Sequence, residues 1–180
     1  VNPYDFEEVF QRYADAGDDV VAIIFSKGMS ATFQSAYIAQ EKVDSDKIHL
    51  IDCENGAMGQ SLLVKTAVSL RDAGKSAKEI EDAIRKLLPQ TKTYIVIDTM
   101  EYLKRGGRIS KSAALIGGLM KLHPVLQVVA DGAKPVDKVK GKKSCNAWLV
   151  NRLLENPADP DYPIVIGHSN APERAEKLKE

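Results

Sequence analysis

The first hundred residues alternate between short apolar runs and longer stretches in which apolar side chains recur at helical spacing. The run 20–25 (VVAIIF) has no polar position, which is typical of a strand buried on both faces in a parallel sheet. Two further runs rich in apolar residues predict strands at 48–53 and 93–98. Helices are predicted at residues 4–16, 30–40, 56–73 and 77–88, the last with Ser76 as its N-cap. This order predicts an α/β fold in which an open parallel sheet carries helices on both faces.

The pattern changes after Asp98. A short helix is predicted at 99–103 and an apolar helix of small residues at 111–122. The apolar runs 125–129 and 135–139 flank Asp131-Gly132, which is a specific signal for a β-hairpin. The remaining elements are predicted to be a helix around Trp148, a strand at 162–167 and a helix at 171–180 with Asn170 as its N-cap. We therefore predict two domains, a parallel α/β domain at 1–104 and a second α/β domain with a hairpin at 105–180.

Both ends of the chain lack the features of a finished domain. The sequence begins without Met and ends inside a charged helical run with no closing strand. A βα unit left open in this way suggests that a further strand follows. We therefore expect the first domain to lack its N-terminal part and the second its C-terminal part.

Composition excludes several classes of protein. The 25 Lys and Arg balance 25 Asp and Glu, so the chain lacks the basic excess of a dedicated nucleic-acid binder. The longest apolar runs are far shorter than the roughly 20 residues that a membrane-spanning helix needs, and no signal peptide opens the chain. The two cysteines, Cys53 and Cys145, are too few for a disulfide scaffold and fit a reducing compartment. We predict a cytoplasmic protein without an integral membrane segment.

Charge is uneven along the chain. Residues 1–90 carry a net charge of −5 and residues 91–180 a net charge of +5. Residues 101–143 alone hold ten Lys and Arg against three acids. Such a basic region is either a solvated face or a surface that attracts an acidic partner or an anionic ligand.

The segment 25–36 (FSKGMSATFQSA) carries the strongest local signal for chemistry. It joins a predicted buried strand to a helix N-terminus, and ligands of open α/β sheets bind at that end of the strands. The free N–H groups at a helix start favour a carboxylate or phosphate, Ser30 and Thr32 add hydroxyl donors, and Gly28 lets the backbone come close. The alternative is that Ser30 serves only as a helix N-cap. No phosphate-loop pattern surrounds Lys27, and no nucleophile-elbow pattern is present.

A second signal is Arg105-Gly-Gly-Arg108, in which paired glycines bring two guanidinium groups near one point. This arrangement suits the binding of an anion, with Arg108 as the better candidate, or it is a helix stop between exposed arginines. The uncharged helix that follows, around residues 113–120, is either packed in the core or leaves a slot for a long apolar ligand.

The sequence offers little to an enzyme mechanism. No paired carboxylates stand at a spacing that suggests acid–base catalysis, and no set of metal ligands is evident. His49 and His123 are predicted to be structural. We therefore predict a binding protein without metal or cofactor, rather than an enzyme.

Four segments, in order, resemble the motifs of the DegV family. Residues 26–36 are similar to the family's SSxLSGTYQSA segment, and 51–60 (IDCENGAMGQ) to its D-S stretch and Gly-rich helix start. Residues 103–110 (LKRGGRIS) are similar to LxKGGRI. Finally, 122–126 (LHPVL), Asp131-Gly132 and 138–143 (KVKGKK) are similar to the succession KPIL, DG and KVRxxKK.

The resemblance implies a two-lobed α/β fold that encloses one long-chain fatty acid. Proteins of this type are acyl-binding subunits of bacterial fatty acid kinase, and a separate kinase subunit phosphorylates the bound acid. By resemblance, Ser30 and the backbone N–H of Ala31 would hold the carboxylate, with Arg108 nearby. Candidate contacts for the acyl chain are Phe33, Leu115, Ile116, Leu119 and Met120. The basic surface that meets the kinase would include Lys138, Lys140, Lys142 and Lys143.

Three residues depart from the family pattern: Ala31 stands in place of Gly, Lys27 in place of a small residue, and His123 in place of Lys. Two other functions are compatible with the same residues. One is a small-molecule kinase or phosphate-ester enzyme that uses the helix start at 26–32 as a phosphate site. The other is an interaction domain whose basic half binds an acidic partner.

Overall fold

A computed structural model describes residues 1–107 and 122–180. These residues form two compact units. The first unit comprises Val1–Lys92 together with Ala130–Gly132, and the second comprises Thr93–Val129 and Ala133–Glu180. The sequence places the change of domain at 104–105, whereas the units of the structure change at Lys92 and Thr93. The reason is the pairing of the strand that starts at Thr93, described below.

The first unit contains two parallel strands and four helices. β1 pairs with β2 from Val20 opposite Ile48 to Ile24 opposite Asp52, which confirms both predicted strands and their parallel arrangement. A single 3₁₀ turn, Leu88–Gln90, follows the last helix. The elements are α1 (Pro3–Asp15), β1 (Val20–Ile24), α2 (Thr32–Val43), β2 (Ile48–Asp52), α3 (Ala57–Asp72) and α4 (Ala77–Leu87).

The two strands bury side chains on both faces, as their apolar runs predict. Ile48 and Leu50 pack with Phe10, Ala36 and Ala39 of α1 and α2. On the other face, the core is formed with α3 and α4, and its buried members are Ile51, Cys53, Leu63, Ile80, Ile84 and Leu87. Because successive side chains of a strand point to opposite faces, this alternation places helices on both sides of the pair.

In the second unit, β3 is not part of the parallel sheet that the sequence predicts. β3 (Thr93–Val96) pairs antiparallel with β4 (Leu122–Val129), from Thr93 opposite Val128 to Val96 opposite Val125. β4 also borders β5 (Gly132–Lys140), which gives the order β3-β4-β5 and confirms the predicted hairpin. An apolar run shows that a strand is buried but not which strand lies beside it, which is why the prediction for β3 was wrong.

The described residues of the second unit also form three helices: α5 (Glu101–Arg105), α6 (Lys142–Glu155) and α7 (Pro172–Lys179). Its core joins Val125, Val139 and Cys145, with Val96 and Trp148 packed against them. Across the described residues, every helix falls short of the length and apolar character that a membrane crossing requires.

Two predictions near the end of the chain are wrong. The predicted strand at 162–167 is not formed with any part of the chain that the structure describes, and Ile164 remains 58% exposed. A strand needs a neighbouring edge for its backbone hydrogen bonds, and an apolar run alone does not supply one. Asn170 is not the N-cap of α7: it has a positive φ of 54°, and Ala171 precedes the helix.

The predicted cap of α4 is confirmed. The hydroxyl of Ser76 accepts a hydrogen bond from the N–H of Glu79, and the Glu79 carboxylate accepts one from the N–H of Ser76 at 2.9 Å. This reciprocal pair is a capping box, which satisfies two N–H groups that lack acceptors within the helix. The hydrogen bond from the Ser76 N–H, with those from Lys75 and the Ser76 hydroxyl, lowers the pKa of Glu79 from 4.5 to about 2.

This capping box should make part of the stability dependent on pH. Because the pKa of Glu79 is lower in the folded state than its ordinary value, ionised Glu79 stabilises the fold above about pH 4.5, and this contribution is lost as the pH falls toward 2. We expect the difference in free energy of unfolding between the protein and its Glu79→Gln variant to shrink from pH 6 to pH 3, as measured by urea denaturation. A difference that stays constant over this range would contradict the ionic role of Glu79.

Candidate functional site

The loops that follow β1 and β2 meet at one edge of the parallel pair. The N–H of Ser26 donates to the carbonyl of Asn55 at 3.0 Å, and the N–H of Cys53 donates to the carbonyl of Ile24 at 2.9 Å. Parallel strands bring their carboxyl ends to the same side of a sheet, where ligands of open α/β folds bind. The first loop leads directly into α2, so the start of that helix lies at this edge.

Ser26 is the most buried polar residue of this edge, with 0% of its surface exposed. Its hydroxyl donates to the carbonyl of Ala130 at 3.1 Å and accepts from the N–H of Gly28 at 3.2 Å. Its carbonyl accepts from the N–H groups of Met29 and Ser30, at 3.0 and 3.1 Å. Ser26 therefore ties together the strand end, the loop and the turn at Ala130.

Ser30 and Thr32 form a hydroxyl pair at the start of α2. The Ser30 hydroxyl accepts from the N–H of Thr32 at 3.2 Å, and its Oγ lies 2.8 Å from Oγ1 of Thr32. The Ser30 hydroxyl thus accepts one N–H of the helix, but the N-cap is Ala31, so the interpretation of Ser30 as the helix N-cap is wrong. Ala31 is exposed and Ser30 is half-buried. A helix start of this kind can hold an anion through N–H groups and hydroxyls.

Gly28 has a different role from the one that the sequence suggests. A Cβ atom built on Gly28 would lie 2.4 Å from the carbonyl oxygen of Ala130 and 2.5 Å from the backbone carbonyl carbon of Asp131. No side chain fits against backbone at such distances. The backbone of Ala130 and Asp131 therefore occupies the position where a side chain of residue 28 would lie, and no ligand can occupy that position.

Asp52 joins the two loops, which sequence reasoning missed. Its Oδ1 accepts from the N–H of Lys27 at 3.3 Å and from the N–H of Glu54 at 3.1 Å, and its Oδ2 lies 3.6 Å from the Nζ of Lys27. The side chain of Lys27, which departs from the family pattern, therefore pairs with a carboxylate at this edge. The position of Asp52, an acidic residue at the end of a predicted parallel strand, was the signal in the sequence that could have indicated this role.

Cys53 lies beneath the same edge. It is fully buried, its thiol donates to the carbonyl of Asn55 at 2.9 Å, and burial raises the pKa of the thiol. A buried protonated thiol is a poor nucleophile, because the thiolate is the reactive form. Cys53 therefore contributes packing and one hydrogen bond to this edge.

The predicted ligand contacts are only partly within the described residues. Phe33 is half-buried and packs against the cluster of Phe10, Ala36 and Ile48, so its contact with an acyl chain stays a prediction. The other predicted contacts, Arg108, Leu115, Ile116, Leu119 and Met120, lie outside the residues that the structure describes.

The two histidines that the sequence predicts to be structural both contact neighbouring groups. Nδ1 of His49 lies 2.9 Å from the carboxylate of Glu81 in the first unit. In the second unit, Nδ1 of His123 lies 3.3 Å from the carboxylate of Asp98, which also pairs with Arg174.

The predicted basic surface lies on the second unit. All four of its lysines are exposed, on β5 and at the start of α6, and they are Lys138, Lys140, Lys142 and Lys143. Among the strands that the structure describes, β5 is an edge strand. The side chains of Lys138 and Lys140 on this strand are exposed.

Comparison with protein families gives a match over the whole chain. The model described as "Uncharacterised protein, DegV family" matches residues 1–180. The chain is 37% identical to the DegV domain-containing protein YteA of Lactococcus lactis, over 99% of this chain and 64% of the relative. A DegV domain-containing protein of Clostridium perfringens is 35% identical over 100% of this chain and 64% of its own length. The chain thus spans somewhat less than two thirds of these relatives.

Solved structures give the same family. A fatty acid binding DegV family protein from Streptococcus agalactiae matches with a TM-score of 0.87 and 25% identity, over 98% of this chain and 63% of that one. DegV of Bacillus subtilis, a fatty acid binding protein, matches with a TM-score of 0.71 and 26% identity, over 86% of this chain and 55% of that one. The motifs, the fold and both comparisons agree, and the chain belongs to the DegV family.

Proposed function

We propose that this chain is the lipid-binding part of a DegV protein, which holds one long-chain fatty acid and presents its carboxylate to a separate kinase. The observation that carries the proposal is the start of α2, where two hydroxyls and the first helical N–H groups lie together at the carboxyl ends of two parallel strands. The fatty acid binding of the related Streptococcus agalactiae and Bacillus subtilis proteins supports the same ligand class.

The Ser30–Thr32 hydroxyl pair can donate one hydrogen bond to a carboxylate. One of Ser30 and Thr32 donates to the other across 2.8 Å, so one hydroxyl hydrogen of the pair is left for a ligand. The N–H of Ala31 would add a second donor at the same helix start. A carboxylate there gains roughly 0.3–1 kcal/mol from the helix dipole, in addition to charge-assisted hydrogen bonds.

The acyl tail would supply most of the affinity. Each buried CH₂ contributes about 0.8 kcal/mol, so a long chain outweighs the head-group interactions several times over. The role of the head-group site is therefore orientation, which keeps the carboxylate where a phosphoryl group can reach it. In this proposal, Phe33 and the apolar side chains of 115–120 contact the tail, and Arg108 lies near the head group.

The position of the basic residues supports a docking function for the second unit. Lys142 and Lys143 occupy the first turn of α6, and that turn contains no acidic residue. Positive charge at a helix N-terminus is unfavourable by roughly 0.3–1 kcal/mol per residue, because the dipole is positive there. Because these two lysines do not stabilise the helix that carries them, a role in binding an acidic partner is favoured. We propose that this partner is the kinase.

The Ser30→Ala variant tests the head-group role. We expect its affinity for oleic acid to fall by less than about tenfold, because the tail dominates binding, whereas acyl-phosphate formation per bound lipid falls further. The affinity is measured by titration of the protein with oleic acid. Acyl-phosphate formation is measured by trapping the product in the presence of the partner kinase and ATP. Ser45→Ala, which alters a loop serine before β2, serves as the control and should change neither.

If Ser30→Ala abolished lipid capture but left turnover per bound lipid unchanged, the proposed division between tail and head group would be wrong. Metal-dependent turnover of a phosphate ester by the isolated protein would instead favour an enzyme that uses the start of α2 as a phosphate site.

Replacement of the four exposed lysines tests the docking surface. We expect K138A, K140A, K142A and K143A together to raise the Kd for the kinase by at least about tenfold at low salt, with little change in oleic acid affinity. The Kd is measured by calorimetry at several salt concentrations, and the variant should show a weaker salt dependence. The matched control removes the same charge elsewhere, at the exposed residues Lys65, Lys86, Lys92 and Lys177. Equal loss of kinase binding in both variants would rule out a specific basic surface.

A further inference from the structure

We propose that Ser26 is a positioning residue that fixes the start of α2 for the carboxylate of the ligand. The proposal rests on the fatty-acid-binding function proposed above and adds to it a residue that need not touch the ligand. Ser26 lies four residues before Ser30 and is fully buried, whereas Ser30 and Ala31 are at least partly exposed.

The hydroxyl of Ser26 uses its hydrogen and a lone pair within the protein. It donates to the carbonyl of Ala130 at 3.1 Å and accepts from the N–H of Gly28 at 3.2 Å. Both partners are backbone groups, so the hydroxyl joins the loop after β1 to the turn at Ala130. Ser26 is buried, whereas Gly28 and Ala130 are exposed, so loss of the hydroxyl would remove the direct link between the loop and the turn.

The backbone of Ser26 connects this hydrogen bond to Ser30 and Thr32 at the start of α2. Its carbonyl accepts from the N–H of Ser30 at 3.1 Å, and the hydroxyl of Ser30 then accepts from the N–H of Thr32 at 3.2 Å. A continuous chain of hydrogen bonds therefore runs from Ala130 through Ser26 and Ser30 to the first residue of α2.

Gly28 lets the loop lie close to the same turn. The backbone of Ala130 and Asp131 lies so close to Gly28 that a Cβ atom would overlap it at 2.4–2.6 Å. A side chain at this position would therefore push the loop away from the turn to which the Ser26 hydroxyl holds it.

Such a restraint matters more for a head group than for a tail. Hydrogen bonds to a carboxylate are directional and weaken steeply when donors are misplaced, whereas burial of CH₂ groups depends little on direction. A loop that loses its restraint should therefore lose preference for the carboxylate before it loses the ability to bind an apolar chain. This selectivity separates a positioning role from a general structural one.

The experiment compares oleic acid with oleyl alcohol, which has the same tail but no carboxylate. Both Kd values are measured by fluorescence competition on the protein and on its Ser26→Ala variant. We expect the variant to bind oleyl alcohol within about twofold of the unaltered protein, and its preference for the acid to fall by about tenfold. Ser45→Ala is the matched control, because Ser45 also accepts the N–H of the residue two positions on, at 3.3 Å.

Three outcomes would overturn the proposal. An unchanged preference for the acid in Ser26→Ala, or an equal loss for acid and alcohol, would each show that Ser26 does not position the head-group site. An unaltered protein that binds neither ligand would remove the fatty-acid-binding function itself, and so the two failures are distinguishable. If Ser26→Ala does not fold, Gly28→Ala replaces it, since the added Cβ displaces the same loop and predicts the same selective loss for the acid.

Discussion

The parallel pairing of β1 with β2 determines where the candidate binding site of this chain lies. Because the strands run in the same direction, the loops after Ile24 and Asp52 reach the same edge, and α2 begins there with its N-terminus. The positive end of the helix dipole, the first helical N–H groups and the Ser30–Thr32 hydroxyl pair then lie together at this edge. An antiparallel pair would place the second loop at the opposite end.

Hydrogen bonds from backbone and side-chain groups hold the two loops of this edge together. The carbonyl of Asn55 accepts from both the N–H of Ser26 and the thiol of Cys53, and the Asn55 side chain donates to the carbonyl of Thr91. Ser26 and Asn55 are the buried polar residues of the described core. Buried polar groups stabilise a fold only when they are paired. The Ser26 hydroxyl and the Asn55 amide nitrogen are paired here, whereas the Oδ1 of Asn55 has no hydrogen-bond partner among the described residues. The hydrogen bonds that are made favour one arrangement of the two loops.

The sequence predicted features that depend on local pattern and missed those that depend on partners. The apolar runs of β1 and β2, the Ser76 cap and the Asp131-Gly132 turn each follow from a few neighbouring residues. The neighbour of β3 could not be predicted, because an apolar run is compatible with any buried position. Likewise, Gly28 signalled a close approach, but only the structure identifies the Ala130–Asp131 backbone as the group that approaches.

Mass spectrometry of the purified protein, under native conditions and after solvent extraction, shows whether the chain holds a fatty acid. We expect an excess mass equal to one long-chain fatty acid per chain, released as the free acid by the solvent. A protein that carries no lipid after purification, and takes up none when incubated with oleic acid, would contradict this expectation.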